Sequence, residues 1–495
     1  MEIVNVTNLN NSYLKIETES GILQEIKEYF TFFAPNYKFH PKYKAKQWDG
    51  KICLVQGKKI YAGLLSKLQD FSKSREYQLN IDSNIQHTND VSFETISKFV
   101  DELNIHSNGE KLEKRDYQIH SVFTSIKNKR RILLSPTSSG KSYVIYCIIR
   151  WLIEHNKRIL LIVPNIGLVK QMFSDFDDYS SENNFDIREY VQMIAEGATR
   201  DISKPIAIST YQSLLRVDTS TYFNSNFDSI IVDEVHLAEA KTIRSIMESA
   251  TDVEYRFGLT GTLNKAKTHE LVIQGLFGDI EKIISTRELI DKGYISDVNI
   301  KCIVLEYSNK EEKALVKSMK YSDEAQFLSK HEKRNKLLAK LAIESKGNTL
   351  ILCNYVEHTE TLYNIIKEKV GDSRKVFLIT GKVDGDIRND MRGEIEKEND
   401  AILVATFGTT STGVSIKRLN NIIAASSTKS LIRLLQSIGR GLRKAHDKTK
   451  FTWFDIVDAI YVTKSKQNYS YKHFIERLEI YNEQEFEYKL FKIKF

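Results

Sequence analysis

The sequence predicts an α/β protein: two doubly wound parallel-sheet lobes behind a small N-terminal α+β domain. Three observations predict it. Short apolar runs recur over residues 106–285, helical stretches separate several of them, and the same rhythm returns over about 295–460. Parallel strands buried on both faces by crossover helices read as near-continuous apolar runs of this kind. The boundaries expected are 1–105 for the N-terminal domain, 106–285 for the first lobe and 286–495 for the second lobe with a C-terminal helical tail.

In the N-terminal domain, residues 14–18 alternate like a strand, 21–33 carry helical spacing, and Lys51–Val55 and Lys59–Ala62 flank a hairpin turn at Gln56-Gly57-Lys58. Ser92–Leu103 is again helical. The first-lobe strands expected are Ile132–Leu134, Ile159–Val163, Ile206–Ile208, Ile230–Val232 and Phe257–Leu259. The chain is expected to cross between lobes around 264–295. Thr349–Cys353, Lys375–Ile379, Ala401–Ala405, Asn421–Ala425 and Phe451–Phe454 are the second-lobe strands, and Tyr469–Phe495 is read as helical.

The 495 residues exceed one ordinary domain. A hydrophobic fraction of 41% and a charged fraction of 28% describe a soluble globular chain. The net charge of +7, from 72 basic and 65 acidic residues, permits polyanion binding without arguing for it. Cys53, Cys147, Cys302 and Cys353 are far apart and form no CxxC pair, which argues against a zinc site or a disulfide framework and for a reducing cytoplasm. The N-terminus lacks the blocks of a signal peptide, and no apolar run is long enough to span a bilayer.

The first-lobe strand ending at Leu134 leads into Ser135-Pro136-Thr137-Ser138-Ser139-Gly140-Lys141-Ser142 and then an apolar helix. That is the strand–loop–helix setting of a phosphate-binding loop. The small residues Thr137, Ser138, Ser139 and Gly140 let backbone N–H groups curl around a phosphate, and the helix N-terminus adds its positive end. Lys141 is expected to reach the β- and γ-phosphates of ATP, and the Ser142 hydroxyl to hold Mg2+. Ser135 stands where the general pattern has Gly. The apolar strand Ile230–Val232 ends in Asp233-Glu234-Val235-His236, placed beside the loop strand. Asp233 is the expected Mg2+ carboxylate and Glu234 the group that polarises the attacking water, with His236 completing the segment. An acidic turn that only caps a helix is the plainer alternative. Arg115 and Gln118, just before the loop strand, are the candidates for the base, since an amide offers adenine both a donor and an acceptor. Thr260 and Thr262, after Phe257–Leu259, are candidates for coupling the acidic segment to movement.

In the second lobe, Gln436-Ser437-Ile438-Gly439-Arg440-Gly441-Leu442-Arg443 places two arginines three apart on one helix face. Gln436, Arg440 and Arg443 are assigned to the catalytic set, because guanidinium groups neutralise charge on a departing γ-phosphate. A basic patch gripping phosphates is the alternative.

These segments, with Pro164–Met172, Thr210-Tyr211-Gln212, Cys353–His358 and Ala405–Ile416, resemble in order the motifs of a superfamily 2 helicase over about 106–460. The N-terminal Tyr37-Lys38-Phe39-His40-Pro41 and Gln47-Trp48-Asp49-Gly50-Lys51, together with Ser411-Thr412-Gly413-Val414-Ser415, are similar to the phage recombination and repair helicases within it. The resemblance implies RecA-like lobes and an ATP-dependent DNA helicase that unwinds or branch-migrates forks, Holliday junctions, D-loops and R-loops, with strand annealing as a further activity. It assigns Gly413 to the nucleotide. The chain departs from common patterns at Val235, Asn165 and Ser415.

Motors of this class grip the sugar-phosphate backbone. The expected contacts are Asn165, Lys170, Thr210 and Gln212 on the first lobe, and Asn354, Thr380, Gly381, Thr406 and Thr412 on the second. A hydroxyl at a strand end can equally satisfy local backbone. In the N-terminal domain, Lys38, Lys42, Lys44 and Lys46 alternate with aromatic residues, so phosphates and unpaired bases could be held together. Trp48 is expected to bind there too and is the residue of that run most expected to be buried. The partners expected are branched, single-stranded or double-stranded DNA, RNA within R-loops, and single-stranded-DNA-binding and recombination proteins. A monomer is expected, in the host cytoplasm if the chain is phage-encoded. An RNA helicase and an ATP-switched annealing module are the alternatives.

Overall fold

In a computed structural model of the chain, the structure describes residues 2–35, 37–85, 88–194, 201–214, 219–236, 241–263, 267–381, 393–395, 397–411, 418–428, 430–442, 450–463 and 466–495. The chain forms two compact units: residues 1–135 with 140–283, and residues 284–495 with 136–139.

The N-terminal domain is built on a five-stranded sheet. Its strands are β1 (Ile3–Asn8), β2 (Tyr13–Glu17), β5 (Val55–Gln56), β6 (Lys59–Tyr61) and β7 (Gln78–Ile81), in the order β5-β6-β2-β1-β7. Val4, Val6, Leu14 and Ile16 alternate inward, as a half-buried sheet requires. The expected helix over 21–33 is shorter: it spans Ser20–Tyr29, and the next residues form β3 (Thr31–Phe33), paired with β4 (Lys51–Cys53). The β5–β6 hairpin turns at Gly57, whose φ of 62° is left-handed. Helix Phe93–Glu102 is capped by the Ser92 hydroxyl, which accepts from the Thr95 N–H. A small ribbon, β8 (His106–Ser107) with β9 (Glu110–Lys111), leads into the first lobe.

The first lobe has seven parallel strands: β10 (Arg130–Leu134), β11 (Ile159–Val163), β12 (Val191–Ile194), β13 (Ile206–Thr210), β14 (Ser229–Asp233), β15 (Tyr255–Thr260) and β16 (Ile280–Lys282). Their order is β12-β13-β11-β14-β15-β10-β16. β11, β13, β14 and β15 are buried at every position, which is why each carries a short apolar run. Helix Lys141–Glu154 is buried at each residue from Tyr143 to Arg150, as an all-round apolar helix must be. The expected crossing at 264–295 begins later. Helix Lys267–Phe277 and β16 still belong to this lobe, because Ile273, Leu276 and Phe277 fill its core.

The second lobe repeats the topology strand for strand. β17 (Asp297–Glu306), β18 (Thr349–Cys353), β19 (Val376–Ile379), β20 (Ile402–Thr406), β21 (Asn421–Ala424), β22 (Lys450–Ala459) and β23 (Tyr488–Lys494) lie in the order β19-β20-β18-β21-β22-β17-β23, all parallel. The tail is therefore not wholly helical. Helix Tyr469–Glu483 is followed by β23 at the sheet edge.

The N-terminal domain and the first lobe share one continuous apolar core, in which Leu14, Tyr61 and Leu64 join Ile246, Met247 and Ile273. Polar contacts run alongside. Arg256, 1% exposed, donates to the carbonyls of Val253, Met247 and Ala250 and, over 2.9 Å, to the Ser12 hydroxyl. Tyr61 donates to Glu248 and accepts from Arg244 at 2.7 Å. Gly63 approaches so closely that an added Cβ would meet the Gln274 carbonyl at 2.1 Å.

Candidate active site

The site lies at the C-terminal ends of β10, β15 and β14, where open α/β sheets place their ligands. The acidic strand is not directly beside the loop strand, as the sequence had suggested. β15 lies between them, with Leu134 opposite Thr260 and Asp233 opposite Leu259. Beyond the strands, the Ser135 N–H donates to the Thr260 carbonyl at 2.9 Å, so the ladder continues into the loop.

The loop turns through two left-handed residues, Ser138 (φ 69°) and Gly140 (φ 87°). Gly140 is required twice over, since a Cβ there would also lie 2.3 Å from the Gln118 amide nitrogen. Gln118 is buried, and its side-chain oxygen accepts from the Arg115 N–H at 3.1 Å, capping helix Asp116–Asn128. That carbonyl, expected to face adenine, is thus held by the backbone, while the Arg115 guanidinium donates to the Tyr117 hydroxyl at 2.9 Å. Lys141 Nζ donates to the Ser135 carbonyl at 3.3 Å. The Ser142 and Tyr179 hydroxyls share a hydrogen bond of 3.0 Å.

On β14, Asp233 is 9% exposed and accepts from the Glu234 N–H at 2.9 Å. Burial, with the charge of Glu234 beside it, pushes the Asp233 carboxyl up to about 7, although Lys141 pulls the other way. Burial also opposes the Glu234 charge, but the hydrogen bond from His236 and the charges of Lys141 and His236 outweigh it and hold Glu234 below its ordinary value. Glu234 itself is left-handed, with φ 53°. His236 Nδ1 lies 3.2 Å from Glu234 Oε2 and 2.9 Å from the Thr260 hydroxyl. The Thr260 hydroxyl also donates to the Thr262 carbonyl at 2.8 Å and accepts from the Thr262 N–H at 3.3 Å. Loop, acidic segment and threonine turn therefore meet at one residue, Thr260, the loop through its carbonyl and the other two through its hydroxyl.

These residues fit Mg2+. Carboxylate and hydroxyl oxygens are the hard donors it takes. A buried carboxylate displaced to about 7 is one that a cation would return to its charged form.

The expected nucleic-acid residues divide. Asn165 caps helix Ile166–Tyr179, accepting from the Leu168 N–H at 3.1 Å, and Lys170 is exposed one turn on. Gln212 is exposed. Thr210 is buried, and its hydroxyl closes a turn with Ser213 at 3.0 Å. The second lobe repeats the device at the same place, with Thr406 and Thr409 at 3.0 Å. Asn354 donates to the Ser427 carbonyl at 3.3 Å. Thr380 is buried and Gly381 exposed. In the N-terminal domain, Lys38, Lys42, Lys44 and Lys46 are exposed beside Phe39, which is 75% exposed. Trp48 is only half-buried, against expectation. Its indole N–H donates to the Lys51 carbonyl across the Asp49-Gly50 turn, and Tyr37, not Trp48, packs on Gly50. Thr412, Gly413 and Arg443 lie outside the described residues, as do the side chains of Gln436 and Arg440, whose backbone belongs to helix Leu431–Gly441.

Sequence reasoning missed Tyr179 and two buried ion pairs. Arg334 meets Asp458 at 2.7 Å and donates to the Ala425 carbonyl at 2.7 Å. Arg477 grips Asp455 through two bonds of 2.8 Å and donates to the Thr428 carbonyl at 3.0 Å. Together they pin the loop after β21. The signal was present: Asp455 and Asp458 interrupt an apolar strand, and a carboxylate there needs a buried partner.

Three family models match successive parts of the chain. Residues 3–82 match the N-terminal region of the DNA helicase UvsW, 111–265 the res subunit of type III restriction enzymes, and 332–445 the helicase conserved C-terminal domain. The ATP-dependent DNA helicase uvsW of Enterobacteria phage T4 is 32% identical over 495 residues, covering 96% of this chain and 97% of that protein. A crystal structure of T4 UvsW aligns over 100% of both chains at 30% identity, with a TM-score of 0.54. A type I restriction enzyme EcoAI endonuclease subunit of Escherichia coli is 24% identical over 70% of this chain and 46% of its own length. Seven-stranded lobes, a phosphate loop and an acidic strand tip thus occur in a chain related end to end to a phage enzyme, and the protein belongs to the UvsW family of ATP-dependent DNA helicases.

Proposed function

We propose that the chain couples ATP hydrolysis to the unwinding and branch migration of branched DNA: forks, four-way junctions, D-loops and R-loops. The observation that carries the hydrolytic part is the Thr260 hydroxyl, which links His236 and Glu234 to the turn at Thr262, while the Thr260 carbonyl holds Ser135 of the phosphate loop. Lys141 holds the β- and γ-phosphates. Ser142 and Asp233 hold Mg2+, which when bound neutralises phosphate charge. Glu234, kept ionised by its neighbours, orients the attacking water, and His236 passes its position to Thr260. Gln436, Arg440 and Arg443 supply the arginine set, a role that rests on motif resemblance. Asn165 and Lys170 at one helix start of the first lobe, and separately Asn354 in the second lobe, contact the sugar-phosphate backbone. The exposed lysines and Phe39 of the N-terminal domain hold the junction.

Lys141→Ala tests this. ATPase and unwinding are expected to vanish while fork binding persists. Normal turnover in that variant removes the nucleotide assignment. A substrate panel of fork, four-way junction, R-loop and RNA duplex tests the rest: DNA branches are expected to stimulate ATPase, and stimulation by RNA duplex alone would favour an RNA helicase.

A further inference from the structure

Helix Ile166–Tyr179 begins at Asn165 and ends at Tyr179, so about 20 Å of helix separates the expected DNA grip from the Ser142 hydroxyl. Tyr179 is held from several sides. Its ring meets Tyr146 at 5.5 Å and Tyr143 at 6.4 Å, both edge-on, and its carbonyl accepts from Asn183. Tyr143 and Tyr146 lie on the same helix as Ser142. The phenol is thus set against the phosphate-loop helix by packing that does not depend on Ser142.

We propose that Tyr179 is a positioning residue for the metal-binding hydroxyl, donating its O–H to Ser142 Oγ and fixing the direction of that oxygen's remaining lone pair. The inference rests on the nucleotide-site reading above. A serine oxygen has two acceptor sites. One accepts from Tyr179, which leaves the second for a cation and the serine's own hydrogen for another acceptor. The phenol is the more acidic of the two hydroxyls and so the better donor. A serine on the first turn of a helix otherwise has several rotamers open to it. The same helix carries Asn165 and Lys170 at its other end, so a shift of the helix on DNA would be felt at Ser142.

The test needs no turnover. ADP affinity of the full chain is measured in EDTA and in excess Mg2+ for wild type, Tyr179→Phe, Ser142→Ala and the double variant. In EDTA all four are expected to bind alike. The gain on adding Mg2+ is expected to fall by about three- to tenfold in Tyr179→Phe, the effect of one hydrogen bond. It is expected to disappear in Ser142→Ala, with no further loss in the double variant. A wild-type Mg2+ gain in Tyr179→Phe, or an equal loss with and without metal, overturns the inference. An undiminished gain in Ser142→Ala instead overturns the underlying assignment of Ser142. Melting temperature, read on the same samples, separates a general packing defect from a metal-specific one.

Discussion

His236 and Thr260 stand 2.9 Å apart at the tips of neighbouring strands, one following the acidic segment and the other ending β15. Because the same threonine bonds Thr262 and its carbonyl holds Ser135, any displacement of the acidic turn must move the phosphate loop or break a buried bond.

Replacing Thr260 by Val keeps the shape and removes the hydroxyl. His236 Nδ1 then keeps its contact with Glu234 and loses one hydrogen bond, at a cost of about 0.5–1.5 kcal/mol. Urea unfolding should show that loss. Strand displacement should fall more than DNA-stimulated ATPase when both are assayed on one fork.

With Asp233 as the proposed Mg2+ ligand, metal binding is expected to depend on pH. The carboxyl's folded value of about 7 lies above the ~3.9 of an unfolded Asp. The unfolded chain therefore loses its proton first, and the stability this group contributes is whole below about 4 and lost as pH rises through about 7. Metal binding runs the opposite way, because the ligand must be ionised. The Mg2+ concentration that half-saturates ADP binding should be several-fold higher at pH 6 than at pH 8. Asp233→Asn should abolish that pH dependence in the same titration.

Arg477→Met would leave Asp455 charged and without its guanidinium in a site where both side chains are 2% exposed. Breaking such a pair from one side costs about 3–5 kcal/mol. Chemical denaturation followed by circular dichroism should show that loss in the second lobe. Arg75→Met, at an exposed pair with Glu25, should change stability by less than about 1 kcal/mol.

Phe39→Ala should leave stability intact, since the ring is 75% exposed. Fork affinity should fall about tenfold or more, as expected for losing a base-stacking ring. Lys42→Ala with Lys44→Ala should instead flatten the salt dependence of binding. Fluorescence anisotropy at two salt concentrations separates these outcomes.

The central strands were legible because burial on both faces leaves an unbroken apolar run, as in Ile159–Val163. Of the edge strands, Lys375–Ile379 anticipated β19, whereas β12, β16 and β23 were not legible. β16 is three residues long and nowhere fully buried, and in β23 Leu490 and Phe491 are 52% and 44% exposed, so apolar residues there do not mark a core face. β17 opens with charged and polar residues alternating with apolar ones and only later becomes apolar throughout. The phosphate loop and acidic segment were readable because their chemistry is local in sequence. Tyr179 was not, because it reaches Ser142 only once a 14-residue helix has folded back along β11. The position of β15 between β10 and β14 is likewise a fact of topology, invisible to motif spacing.

The hydrophobic interior that runs unbroken from Leu14 to Ile273, with Ser12 bonded to the sequestered Arg256, sets how this enzyme can be dissected. A truncation that begins at residue 106 would strip away one wall of the first lobe, bare Met247 and Ile273 to water, and leave the Arg256 guanidinium one acceptor short. The opening hundred residues are therefore part of the engine block and cannot be unbolted as an accessory, and comparisons of motors with and without them would measure misfolding before they measured DNA recognition.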